Sequence, residues 1–210
     1  MNKLNIKICG MRESENCRAV AELQPDFMGF IFYPHSPRFV GYNFCLPAKL
    51  PSTMRKVGVF VNEQPVRIKE IVQRCRLDAV QLHGNERAEV CASVKEFVPV
   101  VIKAFAVHEG FCFDEVKPYV NSVDYFLFDA KGHHPGGNGL PFNWGLLQEY
   151  KYSVPFFLSG GIDVSNLGRV VGLNHPQLAG VDLNSGFEVS PGLKNVRALR
   201  EAFTMLNEVL

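Results

Sequence analysis

Eight short runs rich in β-branched and aromatic residues recur along the chain, at 4–9, 27–32, 57–61, 78–82, 98–103, 124–129, 155–159 and 179–183. No other feature restricts the fold so strongly. Successive runs begin 20 to 31 residues apart, which leaves room each time for a strand, a helix and two short connections, so the repeating unit is a βα step. Most runs are continuous apolar stretches, such as Val57 to Val61 and Val154 to Leu158, as parallel strands covered on both faces require. Helical periodicity fills several gaps, most clearly Ile68, Ile71, Val72 and Cys75, and later Val196, Leu199, Phe203 and Leu206. The segment after the second run carries Pro47 and Pro51 and is expected to be irregular. Ser190 reads as the cap of the last helix, with Pro191 in its first turn, and Trp144 is expected to pack in a helix. Eight parallel units of this kind predict an α/β chain closed as a (β/α)8 TIM barrel, a single domain over residues 1–210. An open doubly wound sheet is the competing architecture, but it would place a Gly-rich phosphate turn after the first strand, where only Cys9-Gly10-Met11 stands.

Composition narrows the partners. With 22 basic against 21 acidic residues and no basic cluster, nucleic acid is not an expected ligand. The apolar runs fall far short of the ~20 residues needed to cross a bilayer, so no membrane span is expected. Six scattered cysteines without a C-x-x-C pair read as free thiols, and the N-terminus lacks the pattern of a signal peptide. Both point to a cytoplasmic protein. A chain of 210 residues buries roughly 70% of its unfolded surface, enough for one sizeable core.

Reactive groups in such a barrel project from the carboxyl ends of the strands. The residues that close the runs are therefore the candidates: Cys9, Arg38 beyond the second run, His83, Asp129, Gly160-Gly161, and Asp182 to Ser185. Cys9 is either a small core residue or a reactive thiol; strand alternation puts Lys7 on its side, where a paired lysine would favour thiolate. Asp129 follows four apolar residues, so a poorly solvated carboxyl with a raised pKa, suited to an acid, is expected there, beside the alternative of a capping loop residue. Four glycines and His133-His134 lie between 132 and 139, a segment long enough to fold over a ligand. No metal site is expected from the two histidines, because spacing suggests no third ligand. Ser159-Gly160-Gly161 and Asn184-Ser185-Gly186 follow the last two strands, where barrels commonly bind phosphate through backbone N–H groups. Arg38 carries a guanidinium suited to a substrate carboxylate, and His83 reads as a structural hydrogen-bonding residue.

Taken in order, these segments resemble one family closely, phosphoribosylanthranilate isomerase. The resemblance runs through Lys7-Ile-Cys-Gly-Met11, Gly29 to Phe32, Ser36-Pro-Arg38, Val57 to Asn62, Gln81-Leu-His-Gly84, Phe128-Asp129, Gly136-Gly-Asn-Gly139, Leu158 to Gly161, Gly180 to Gly186 and Ser190 to Lys194. Each motif is short; ten in register on one barrel are specific. The resemblance implies a cofactor-free Amadori rearrangement of N-(5-phosphoribosyl)anthranilate, with Cys9 as general base and Asp129 as general acid. It also implies that Arg38 holds the anthranilate carboxylate and that Gly160, Gly161, Asp182, Asn184 and Ser185 contact the substrate, in a monomer or a homodimer. Asn138, Asn184 and Asn143 depart from residues common in the family. The histidine-pathway sugar isomerase, a related barrel, is similar to a duplicated half-barrel with an aspartate ending its first strand, which Cys9 and the absence of a clear internal repeat oppose. A catalytically silent ribose-phosphate binder would not need both the acid and the base positions filled.

Overall fold

The structure is a computed structural model that describes residues 3–130 and 144–208. Eight parallel strands hydrogen-bond in sequence order into a closed barrel, β1 (Asn5–Ile8), β2 (Phe27–Ile31), β3 (Arg55–Phe60), β4 (Ala79–Leu82), β5 (Val100–Val107), β6 (Tyr125–Ala130), β7 (Phe156–Ser159) and β8 (Leu178–Leu183). Each falls on a run anticipated from the sequence, and β5 continues four residues beyond its run. Closure comes from β1 pairing with β8, with Lys7 opposite Asp182.

Strand alternation divides the apolar residues into two populations. Phe27, Val57, Ala79, Ile102, Ala104, Leu127 and Phe157 fill the barrel interior. Phe27 meets the ring of Phe157 edge-on at 5.2 Å, and Tyr125 lies 5.2 Å from the same ring. These aromatics plug the lower barrel, so the chemistry is confined to the upper rim. The other faces of the strands carry Ile8, Phe30, Phe60, Val80, Phe126, Phe128 and Phe156 into the larger outer core beneath the helices.

The outer layer is uneven. α1 (Ser14–Ala21), α2 (Pro65–Cys75), α3 (Ala88–Lys95), α4 (Leu167–Val171) and α5 (Val196–Glu208) are α-helical. Ile68, Ile71, Val72 and Cys75 are buried on α2, the stripe that periodicity indicated. Between β2 and β3 the chain forms turns and no α-helix, consistent with Pro34, Pro37, Pro47 and Pro51, which remove N–H donors and clash with a helical backbone. Two connections are 3₁₀ helices, Phe113–Tyr119 and Trp144–Glu149, and Trp144 is buried in the second. Among the described residues no helix is long and apolar enough to cross a membrane.

One device recurs at the amino-terminal face. Asp26, Asp78 and Asp124 each stand immediately before an even-numbered strand, and each accepts a backbone N–H from the preceding strand, from Ile6, Lys56 and Val101, all at 2.8 Å. The side chain thus ties β1 to β2, β3 to β4 and β5 to β6 at their starts.

The start of the last helix differs from expectation. Ser190 and Pro191 do not cap it; they belong to a hairpin of β9 (Glu188–Ser190) and β10 (Leu193–Lys194). Pro191 supplies the fixed φ of the turn and Gly192, at φ +87°, the left-handed position that follows it. Helix α5 starts five residues after Pro191, where the Asn195 side chain accepts from Ala198 N–H at 3.1 Å. Asn195→Ala should therefore cost about 1 kcal/mol in urea unfolding, whereas Ser190→Ala should leave stability within about 0.5 kcal/mol.

Candidate active site

The carboxyl ends of the strands surround a cavity of about 410 Å³, lined by Cys9, Tyr33, Gln81, His83, Asp129, Ser159, Gly160, Gly161, Asp182, Asn184 and Ser185 among others. Thus β1, β4, β6, β7 and β8 all contribute groups singled out from the sequence. Arg38 stands beside this wall, packed behind Gly10 and Asn184. A Cβ on Gly10, whose φ is +76°, would lie 2.7 Å from both Arg38 Cδ and Asn184 Oδ1.

Cys9 extends the pairing of β1 with β8 by one residue, its N–H donating to Leu183 O at 3.0 Å. That fixes the thiol in the wall, over Gly29, where a Cβ would meet Sγ at 2.8 Å. Lys7, wholly buried below it, donates to Asp182 Oδ1 at 2.8 Å, and Ser159 donates to Asp182 Oδ2 at 3.4 Å. Both oxygens of Asp182 therefore already have donors, which uses much of its capacity to bind a ligand. Burial pulls the Lys7 ammonium down, but Asp182 and the Cys9 sulfur outweigh it and hold it above its ordinary value. At Cys9 burial wins: it pushes the thiol above its ordinary value despite the opposing cations Lys7 and Lys194, with Asp182 adding to the rise. The paired lysine expected beneath Cys9 is present, yet it does not leave the thiol with a lowered pKa.

Asp129 opens into the cavity from β6 with its side chain 20% exposed, better solvated than the four apolar residues before it suggest. Its Oδ2 lies 3.5 Å from His83 Nε2. His83 Nδ1 is 2.7 Å from Gln81 Nε2, so with the amide as donor the ring carries its proton on Nε2, toward Asp129. Among the described residues, the buried Gln81 Oε1 has no hydrogen-bond partner. The loop bearing His83 is held from outside, because Glu86 accepts from Gly84 N–H and Asn62 N–H while Lys103 donates to Gly84 O at 2.6 Å. Sequence reasoning singled out both His83 and Asp129 at strand ends but not their pairing, which the closed barrel brings about.

Arg38 is not a free guanidinium. Its Nε donates to Glu188 Oε1 at 2.9 Å and its Nη2 to Glu188 Oε2 at 2.6 Å, a two-point pair across 150 residues. Lys194 donates to Glu188 Oε1 at 2.6 Å and to Asn184 Oδ1 at 2.7 Å. Neither Glu188 nor Lys194 emerged from the sequence as a candidate, although both flank the Pro191-Gly192 turn. On the far side, Gly160 and Gly161 adopt φ of +88° and +64°, the left-handed region in which glycine carries no Cβ penalty. His133, His134 and the glycines at 132–139 lie outside the described residues.

Fold and rim together define a (β/α)8-barrel enzyme whose thiol and carboxyl groups line one cavity at the carboxyl mouth. Residues 6–205 match the family model for N-(5'-phosphoribosyl)anthranilate (PRA) isomerase, and the chain belongs to that family. The N-(5'-phosphoribosyl)anthranilate isomerase of Phocaeicola vulgatus is 41% identical over 203 residues, covering 97% of this chain and 98% of the relative. A crystal structure of phosphoribosyl anthranilate isomerase with reduced 1-(o-carboxyphenylamino)-1-deoxyribulose 5-phosphate superposes with a TM-score of 0.77 at 29% identity, covering 98% of this chain and 99% of that one. Monomers of the dimeric phosphoribosylanthranilate isomerase from Thermotoga maritima give 0.78 at 28% identity, with 97% and 98% covered. The chain is an isomerase of tryptophan biosynthesis acting on N-(5'-phosphoribosyl)anthranilate.

The closeness of Gly29 to the sulfur has a measurable result. Gly29→Ala should destabilise the fold by about 1–3 kcal/mol, as overpacking does, and should change the alkylation rate of Cys9. Urea unfolding and mass-spectrometric thiol labelling would check this, and wild-type values in both would mean that the wall yields.

Proposed function

We propose that this chain performs the Amadori rearrangement by general acid and base catalysis, with Asp129 as the acid and Cys9 as the base. The observation that carries this reading is that the two groups, from β1 and β6, open into one cavity. Asp129 donates a proton to the ribose ring oxygen as the C1–O bond breaks and the anilino nitrogen forms the Schiff base. Cys9, as thiolate, then removes the C2 proton, and the resulting enolamine becomes the ketone by taking a proton at C1 as its C2 hydroxyl gives one up. Lys7 and Lys194 supply positive potential around the sulfur and limit the cost of forming the anion.

The ends of the substrate are assigned to different groups of the rim. Backbone N–H groups of the Gly160-Gly161 turn and the Asn184-Ser185 loop take the phosphate, and Arg38 takes the anthranilate carboxylate. Asp182 acts through Lys7 and Ser159, to which it is already bonded. Monomers generated from a dimeric relative keep this fold, so a monomer or a homodimer suits the reading. All six cysteines are free, which supports a reducing compartment, the cytoplasm.

Cys9→Ala and Asp129→Asn should each lower kcat by about 10² or more in a fluorescence assay of substrate consumption, with unfolding midpoints little changed. Full turnover in either variant would remove that residue from the mechanism. Arg38→Ala should act mainly through KM; a loss restricted to kcat would contradict its role. Because burial holds the thiol above its ordinary value and it works only when deprotonated, kcat/KM should still be climbing as pH passes the ordinary thiol range, about 8.5. A profile already level there would mean that another group is the base.

A further inference from the structure

Arg38, Glu188 and Lys194 form a buried trio beside the cavity, with side chains 19%, 5% and 0% exposed. Glu188 occupies the Nε/Nη2 edge of the guanidinium and leaves the Nη1/Nη2 edge for another acceptor. Its own oxygens accept from Arg38, from Lys194 and from Gly192 N–H at 3.1 Å, so four close donors saturate it. Burial alone would raise the Glu188 carboxyl, but Arg38 and Lys194 hold it below its usual range. Lys194 has three acceptors around Nζ: Glu188 Oε1, Asn184 Oδ1, and Asn184 O at 3.4 Å. Burial draws the Lys194 ammonium below its ordinary value against the pull of Glu188, yet three acceptors fit the three N–H donors of the charged form and not the two of a neutral amine.

The charges decide what this arrangement can do. Glu188 alone would neutralise Arg38, and an approaching carboxylate would meet an ion pair of no net charge. Lys194 restores one positive charge in excess, and the neighbouring Lys7–Asp182 pair is neutral overall. We propose that Glu188 and Lys194 are positioning residues for substrate recognition: Glu188 aims the open edge of Arg38, and Lys194 keeps the trio cationic so that it selects a carboxylate-bearing ligand. This rests on the reading that Arg38 holds the anthranilate carboxylate.

The test compares inhibition by reduced 1-(o-carboxyphenylamino)-1-deoxyribulose 5-phosphate with inhibition by the same compound lacking the carboxyl group. Their ratio cancels any effect of Lys194 on the shared phosphate through Asn184, and loss of a merely structural residue would weaken both inhibitors alike. Lys194→Met should reduce the preference for the carboxylated compound about tenfold, the scale of losing one nearby charge at intermediate dielectric. Lys194→Gln, which keeps a hydrogen-bonding group but no charge, should do the same and serves if the methionine variant fails to fold. Arg38→Met should abolish the preference. A preference lost in Arg38→Met but intact in both Lys194 variants would overturn this inference and leave the role of Arg38 standing. A preference unchanged in Arg38→Met would overturn both.

Discussion

The ion pair between Lys7 and Asp182 joins the first strand to the last, inside the barrel and beneath the Cys9 thiol. Two charges removed from water are tolerated only when each is well partnered, and removing one partner of such a pair typically costs about 3–5 kcal/mol. The pair therefore links two requirements. The barrel must close in a single register for Lys7 to meet Asp182, and in that register Cys9 is carried to the rim. Asp182 in turn engages Ser159, so the end of β7, next to the Gly160-Gly161 turn, belongs to the same arrangement. Barrel closure and the geometry of the mouth are one structural problem.

The electrostatics of the rim follow one rule: cations are partnered, and the surplus is local. Lys7 is cancelled by Asp182, and Lys103 by Glu86 in the loop network behind His83. Among the described residues, only around Glu188 do two cations share one carboxylate. The Cys9 thiol remains above its ordinary value because burial exceeds what these cations return to it.

Much of this architecture was legible in the residues. Continuous apolar runs mark strands covered on both faces, and all eight were found because parallel strands leave no solvent face to confuse the pattern. The α2 stripe was equally plain. Ser190-Pro191 misled because serine before proline fits a helix start and a turn alike; Gly192, which supplies the left-handed position, was the discriminating residue. At the site, Cys9, Asp129 and the two glycine-bearing loops could be read from strand ends. The pairing of Arg38 with Glu188 could not, because 150 residues separate them and only closure of the barrel brings them together.

The three aspartates at the amino-terminal face, at 26, 78 and 124, divide the barrel in a way its continuous sheet conceals. Each clasps an odd strand to the even strand that follows and spans no boundary between such couples. A backbone break after β2 or β4 would leave every clasp within one fragment, whereas a break between β3 and β4 would sever one. Six of the eight strands are thus grouped into two-strand modules by side chains remote from the chemistry, and this modularity resides at the end opposite to the one that does the work.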